Sequence, residues 1–304
     1  MKVFVAGGTG FVGKYVVEEL SKTNHVYKLL TRKKVDKPHV LVDFFDKDSL
    51  KKAFEEEKPD VLINLIGILV EEPSKGITFE NIHYLLPKTL YEVAKDHGIK
   101  HIIHMSALGV SEDAPSIYHH TKLLAEKFLM SLGVDYTIIR PSLIIGPEQR
   151  LFKDLDFFGK YFHIMAHPGI LPYYFAPIDV RDVAFVFVKA IDDPNLKNKI
   201  LELCGKKAVS FDKLLKDSFK LLGRHALILR LPKPLMYISG ALVEKILEPP
   251  PFSKDQILMM YKNNVCQGQD PWPLIGKEPI PYEESLKWAI ENYKSKVLKH
   301  SLKS

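Results

Sequence analysis

Apolar and polar positions follow two rhythms over the first half of the chain. Short continuous apolar runs at 2–6, 26–31, 39–43, 61–66, 101–105 and 136–140 predict strands. Runs such as Val61-Leu62-Ile63 and Ile102-Ile103 show no in/out alternation, as expected of strands covered on both faces. Between them, apolar residues recur at helical spacing and predict helices at 11–21, 47–57, 79–97 and 117–132. In the 79–97 stretch Ile82, Leu85, Leu86, Leu90, Val93 and Ala94 keep a period near 3.6. Pro59 and Gly98 mark the turns into the fourth and fifth strands. Strand and helix in alternation specify βαβ units, and so an α/β fold with a doubly wound parallel sheet.

After Arg140 the rhythm breaks. Residues 141–177 hold Pro141, Gly146, Pro147, Gly159, Pro168, Gly169, Pro172 and Pro177 with aromatics between them, a loop-rich stretch suited to a substrate pocket. Pro177-Ile178-Asp179-Val180-Arg181-Asp182-Val183-Ala184 then opens an apolar helix running to about Ile191. Ile200-Leu201-Glu202-Leu203-Cys204-Gly205 reads as one more strand returning to the sheet. The last third reads as helices with proline breaks, among them Pro249-Pro250-Pro251. The expected organisation is a core of residues 1–150 with 198–205, and a smaller C-terminal substrate or partner lobe of 151–197 with 206–304. The apolar stretch Leu235–Leu247 reads as a packing helix, with a membrane or partner surface as the alternative. The tail after Tyr293, with four lysines and no acid, is expected to fray.

Composition narrows the function classes. With 304 residues, 46% hydrophobic and 26% charged, the chain has the profile of a globular protein with a full core. The net charge of +6 permits an anionic partner, but acids are interleaved almost throughout, which argues against nucleic acid. Cys204 and Cys266 read as too isolated to staple a fold, so a reducing compartment is expected. The N-terminus has no signal-peptide pattern, and no run approaches the ~20 apolar residues that span a bilayer. A cytoplasmic location is expected, with a position peripheral to the inner membrane as the variant.

The chemistry starts at the first strand. Lys2-Val3-Phe4-Val5-Ala6 runs into Gly7-Gly8-Thr9-Gly10-Phe11-Val12-Gly13 and then a helix. Strand, glycine turn and helix within a βαβ unit form the apparatus that holds a pyrophosphate. Gly7 makes the turn, Gly10 lets the phosphates approach, and Gly13 allows close helix–strand packing, with Thr9, Phe11 and Val12 completing the contact. This is a Rossmann arrangement, and a dinucleotide is the expected cofactor. The second strand ends in Thr31-Arg32-Lys33-Lys34, without the carboxylate that bonds the ribose hydroxyls of NAD. A guanidinium there favours NADP over NAD. Asp43 and Phe44 are placed to touch adenine, Asp43 alternatively capping the next helix. Asn64 and Gly67 lie at the carboxyl end of strand four, where the cofactor could pass or the strand could simply turn.

Tyr118 and Lys122 stand four apart on a helix, so they share a face. An ammonium near a phenol favours the phenolate and lowers its pKa, making a proton donor and acceptor for a carbonyl or hydroxyl oxygen. Ser106, at the end of strand five, could bond the same oxygen. His101 and His104, three apart on a strand, point to opposite faces, and His119 and His120 diverge on a helix, so no metal site is expected.

Together these pieces resemble the extended and atypical short-chain dehydrogenase/reductases over nearly the whole chain. Ala6–Gly13 is similar to their cofactor turn, Arg140-Pro141-Ser142-Leu143-Ile144-Ile145-Gly146-Pro147 to the segment leaving their sixth strand, and 177–184 to their Pro-x-x-x-x-Asp-Val-Ala element. Phe79-Glu80-Asn81-Ile82-His83, His104–Val110, Asn264-Val265, Ile275-Gly276 and Pro281-Tyr282-Glu283-Glu284 resemble the subfamily of NADPH-binding accessory subunits of respiratory complex I and their bacterial relatives. The resemblance implies Ser106, Tyr118 and Lys122 as the catalytic serine, tyrosine and lysine, and the expected cofactor contacts also include His83, Tyr118, Lys122, which would hold the ribose, and Pro141. Two features depart from the extended pattern. Only eleven residues separate Ser106 from Tyr118, which implies loss of the nucleotide-sugar pocket, and His83 stands where many members have asparagine. The implied functions are an NADP-binding oxidoreductase acting on an unidentified small molecule, a non-catalytic nucleotide-binding subunit of a membrane-associated respiratory complex, or a nucleotide-sugar epimerase or dehydratase.

Overall fold

The computed structural model describes residues 1–248, 250 and 252–301. Pro249 and Pro251 of the proline run and Lys303 of the tail lie outside the described residues. In chain order the strands are β1 Lys2–Ala6, β2 Val26–Thr31, β3 His39–Leu41, β4 Val61–Asn64, β5 His101–Met105, β6 Asp135–Pro141, β7 Ile144–Ile145, β8 Ile164–Pro168, β9 Tyr174–Phe175, β10 Ile178–Asp179, β11 Lys199–Leu203, β12 Val209–Ser210 and β13 Leu227–Leu231. The helices are α1 Phe11–Leu20, α2 Lys47–Glu57, α3 Leu86–Asp96, α4 Ile117–Ser131, α5 Arg150–Tyr161, α6 Val180–Asp192, α7 Phe211–Leu222, α8 Lys233–Val243, α9 Lys254–Met259, α10 Trp272–Ile275 and α11 Tyr282–Ser301.

Seven strands form one sheet in the order β11-β6-β5-β4-β1-β2-β3, and every pairing is parallel. The continuous apolar runs explain why both faces are covered. Val3 and Val5 of β1 feed one core with Val61, Ile63, Ile103 and Ile139, roofed by α1 and α6. Phe4 and Ala6 feed the opposite core with Leu62, Ile102 and Ile138, roofed by α2 and α3. The chain reverses its direction of travel across the sheet between β1 and β4, and such a switch point opens a crevice beyond the strands' carboxyl ends.

The doubly wound sheet is as the sequence predicts, with instructive differences in detail. β3 stops at Leu41 and β4 at Asn64, short of 43 and 66, because side chains capture the backbone there. Asp43 Oδ1 accepts the Phe45 N–H at 3.0 Å, and Asn64 Oδ1 accepts the Ile66 N–H at 3.1 Å. The expected helix 79–97 divides into a π-helical turn, Glu80–Leu85, and α3. Pro87 lacks the N–H that would continue an α-helical ladder through that junction. The segment 151–197 does not lie wholly in the lobe: α6 buries Val183, Val186, Phe187 and Ala190 in the α1-side core, so its residues belong to the main domain. The last strand, β11, does return to the sheet, beside β6.

The lobe has its own core, in which α5 (Phe152, Leu155), α7 (Leu214, Leu215, Phe219) and α11 (Leu286, Ala289, Ile290) interdigitate. α11 continues as helix to Ser301, over the described part of the segment expected to fray, with Lys294 Nζ 3.4 Å from the Leu221 carbonyl. A strap over residues 261–268 ties the lobe to the sheet. Asn264 accepts from the Ser142 hydroxyl and the Leu143 N–H, and the Gln267 N–H donates to Glu202. The cysteines are not isolated, contrary to expectation. The strap carries Cys266 to the end of β11, where it forms a disulfide with Cys204 at a Cα separation of 5.9 Å. The expected reducing compartment thereby loses its premise. Among the described residues, no helix is long and apolar enough to cross a membrane.

Candidate functional site

The glycine turn closes on itself through the Gly10 N–H and the Gly7 carbonyl, 3.0 Å apart. Gly7 has φ +82°, and a Cβ there would stand 2.9 Å from the Ile66 nitrogen, because the chain leaving β4 passes directly beside it. A Cβ on Gly13 would come within 2.2 Å of the Gly7 oxygen, so only glycine lets α1 sit this close to the turn. Gly10 differs: its Cβ would have a single neighbour within 4 Å, the Gly7 oxygen at 3.3 Å. Gly10 is the N-cap of α1, no side chain caps it, and the first turn carries no acid. The helix therefore presents its leading N–H groups and positive dipole end to the crevice, a setting that fits a diphosphate. Val12 is buried in the core, so its main chain alone faces the turn, while Thr9 is exposed. The Phe11 ring fills the space beside Gly146.

The other expected cofactor contacts divide into two groups. Arg32 is exposed just past β2, and the buried Thr31 hydroxyl donates to the Lys33 carbonyl at 3.0 Å, which holds the basic loop in place. Asp43 is exposed, whereas Phe44 is buried in the α2-side core. Asp46, not Asp43, caps α2 by accepting the Asp48 N–H. The Asn64 side chain is fully buried and donates to the Tyr91 hydroxyl at 2.8 Å, which itself lies 2.7 Å from His104 Nδ1. Its Oδ1 meanwhile accepts the Ile66 N–H at 3.1 Å in the turn out of β4. Pro141 is buried, with its carbonyl accepting the Leu108 N–H at 3.0 Å.

Gly67, His83, Tyr118 and Lys122 meet beyond the ends of β4 and β5. A Cβ on Gly67 would lie 3.3 Å from Lys122 Nζ and 3.6 Å from His83 Nε2. His83 Nε2 accepts the Ile68 N–H at 3.0 Å, which leaves the ring proton on Nδ1 facing the Thr121 hydroxyl at 3.3 Å. Thr121 passes the bond on to the Ile117 carbonyl at 2.9 Å. His83 thus pins the β4 loop to α4. Burial, the Lys122 charge and His104 hold it well below the ordinary histidine pKa, so it is neutral.

Tyr118 sits in an apolar box of Phe79, Ala107, Val110 and Leu123. The rings of His83 and His119 stand edge-on to it at 5.1 and 5.2 Å. Burial pushes its phenol up from the ordinary value, and the Asp255 charge adds to the rise. The expected lowering by Lys122 is not found, for a physical reason. The Lys122 ammonium donates to the Met105 carbonyl at 2.9 Å, and burial brings its own pKa down to about 8 against the opposing charge of Glu126. Ser106 is not assembled with this group: its hydroxyl donates to the buried Glu126, which forms a two-pronged pair with Arg140. His101 and His104 face opposite sides of the sheet, bonded to Thr137 and Tyr91.

Sequence reasoning missed the residues that hold α4. Asp255, in α9, accepts the N–H groups of Ile117 and Tyr118 at 2.8 and 3.1 Å, capping the helix from the C-terminal lobe. Tyr261 donates to the Gly109 carbonyl at 3.0 Å and lies 2.9 Å from the Ser111 hydroxyl. The start of α9 was readable in Ser253-Lys254-Asp255-Gln256, a capping box that the structure makes in full. Its docking onto α4 spans more than a hundred residues and leaves no local signal.

A model of the NAD dependent epimerase/dehydratase family matches residues 3–204. The chain is 30% identical over 276 residues to the Arabidopsis thaliana protein named NADH dehydrogenase (ubiquinone) 1 alpha subcomplex subunit 9, mitochondrial, covering 83% of this chain and 68% of that one. The Mus musculus protein of the same name is 28% identical over 300 residues, covering 92% and 77%. Among solved structures, a Thermus thermophilus UDP-glucose 4-epimerase in complex with NAD superposes with a TM-score of 0.72 at 17% identity, covering 97% of this chain and 99% of that one, a likeness of fold.

Proposed function

Because the chain belongs to the NAD dependent epimerase/dehydratase family, we propose that it binds NADP(H) in the crevice beyond β1, β2 and β4 as an oxidoreductase of the atypical short-chain reductase group. The observation that carries this reading is the uncapped, acid-free N-terminus of α1 above a glycine turn whose Gly10 leaves open space. Phe11, Val12 and Gly13 would offer N–H groups to the diphosphate, and Arg32 the 2′-phosphate contact that distinguishes NADP from NAD. The bound nicotinamide supplies or accepts the hydride. Tyr118 gives or takes the proton at the carbonyl or hydroxyl oxygen of an unidentified small substrate, Lys122, whose ammonium stands beside Gly67, would hold the ribose, and the neutral His83 fixes the loop that lines the site. The apolar box excludes water from that proton.

A second reading has its own support. The Ser106 hydroxyl is engaged with Glu126, burial raises the Tyr118 phenol, and the named relatives are complex I subunits. In that case the nucleotide braces the fold of a subunit of a membrane-associated respiratory complex. Calorimetry with NADPH and NADH tests the shared premise: no heat with either coenzyme on folded protein rejects both readings. Tyr118→Phe separates them. It should abolish oxidation of NADPH by a carbonyl or quinone panel while nucleotide affinity stays nearly intact. Turnover unchanged by the substitution would reject the assigned acid, and wild-type protein that binds NADPH but never oxidises it would favour the structural role.

A further inference from the structure

We propose that the C-terminal lobe rests on an anionic lipid bilayer through one apolar, carboxylate-free face. Three neighbouring pieces of the lobe expose large apolar side chains. The end of α5 displays Phe157, Tyr161 and Phe162, whose rings cluster at 5.2 to 5.7 Å with Lys160 over Tyr161. That helix leads into β8, which pairs with β13, and one face of the pair exposes Ile164, Leu227 and Leu229. α8 packs against β8 yet buries only Met236 and Gly240. Leu235, Ile238 and Leu242 therefore form an open stripe at helical spacing. Ile170 and Leu171, 66% and 78% exposed, sit at the tip between β8 and β9 and adjoin the start of α8 across a cleft of about 720 Å³.

Charge selects the occupant. Residues 157–178 and 218–243, which supply this face, contain no aspartate or glutamate, although the whole chain carries 37. They do contain Lys160, Lys220 and Lys233, besides Arg224 and Arg230, whose charges are taken up by Asp156 and Asp212. Of the acids that border these segments in sequence, Asp156 pairs with Arg224, Asp179 with Arg181, Asp217 with Lys213 and Glu244 with Lys254, and Asp212 nearby pairs with Arg230. Aromatic and aliphatic side chains beside lysines, with acids absent, are the chemistry of an interfacial membrane surface, where apolar groups enter the headgroup boundary and cations meet anionic lipid. Since no described helix can cross a bilayer, the lobe lies on the surface. The proposal is independent of the redox reading, because vesicle binding and nucleotide binding are measured separately.

The test is flotation of the full chain with vesicles of phosphatidylglycerol and phosphatidylcholine against phosphatidylcholine alone, at low and high salt. Wild-type protein should float with the anionic vesicles, and less so as salt rises. The exposed double variant Ile238→Glu with Leu242→Glu should lose vesicle binding by on the order of a hundredfold. Its nucleotide affinity and circular dichroism should stay unchanged, which shows that it folds. Failure of the wild type to float, equal binding to both vesicles, or full binding by the folded variant overturns the proposal. A wild-type dimer that the variant converts to monomer, with no flotation, overturns it in favour of an interface between two copies of the chain.

Discussion

Gly13→Ala and Gly10→Ala should fail in different ways, and the contrast tests the phosphate cradle directly. At Gly13 the added carbon would stand 2.2 Å from the Gly7 oxygen and 2.7 Å from two backbone atoms of Gly8. An ordinary contact needs roughly a further ångström, and both partners are main chain in the turn itself, so α1 must move away from β1. Overpacking of this kind costs about 1–3 kcal/mol, which lowers the melting temperature by roughly 2–5 °C in a chain of this size. The displaced helix also carries its N–H groups out of reach. Losing one or two hydrogen bonds to a charged diphosphate costs about 1.5–3 kcal/mol each, a fall in affinity of tenfold or more. At Gly10 the added carbon meets one atom at 3.3 Å, and φ is −76°, a conformation alanine adopts freely. Gly10→Ala asks the Gly7 oxygen to give by only a few tenths of an ångström, so it should melt nearer to wild type than Gly13→Ala yet lose NADPH affinity, because the methyl occupies the space the phosphates need. Thermal unfolding with calorimetric titration of both variants reads the two effects apart. Equal destabilisation of both, or a Gly10→Ala protein that binds NADPH as wild type does, would refute the assignment of packing to one glycine and ligand approach to the other.

Arg32→Ala should weaken NADP(H) by about 1.5–3 kcal/mol, as for a hydrogen bond to a charged group, and leave NAD(H) unchanged in the same titration. Lys122 gives a pH dependence of defined sign. Its pKa in the folded protein is about 8 against 10.5 for the ordinary side chain, so between those values the unfolded chain binds more protons. Stability should therefore rise as pH increases from 8 toward 9.5, and the full charge-burial penalty below pH 8 is on the order of 2–4 kcal/mol. Urea unfolding across that window should show the rise in wild type and its loss in Lys122→Met; a slope common to both would place its origin elsewhere. Asp255→Ala removes the acceptor for two N–H groups at the start of α4 and should cost roughly 1–3 kcal/mol in urea unfolding; a neutral result would mean water serves the helix end equally well.

What could be read from the sequence follows the range of the interactions. The glycine turn is legible because strand, turn and helix are contiguous, and the restrictions on Gly7 and Gly13 arise almost entirely among residues 7–13 and the chain leaving β4. The sheet is legible for a similar reason: unbroken apolar runs state that both faces are covered, and βαβ handedness does the rest. The ends of β3 and β4 were overrun because Asp43 and Asn64 turn the backbone with their own side chains, while the apolar pattern continues past them. Tyr118 and Lys122 were found as a pair, but not the direction of their proton affinities. That depends on Phe79 and Asp255, which reach α4 from opposite ends of the sequence, and on the Met105 carbonyl that draws the ammonium aside. The disulfide was invisible for the same reason: only the strap's course across the sheet brings Cys266 to Cys204.

This difference in range divides the site into two halves of unlike construction. The phosphate half is complete within the first 66 residues and is held by core packing on both sides of β1. The proton half draws His83 from the π-helical turn, Tyr118 and Lys122 from α4, and its capping charge from α9, with Tyr261 fastening the Gly109 turn. α9 in turn is packed against α8, the helix whose outer stripe is uncovered. α8 is thus the immediate neighbour of the helix that supplies Asp255 to the start of α4. Under the proposed reading, nucleotide binding would rest on the half built from local contacts, and proton transfer on the half whose parts are drawn from distant stretches of the chain.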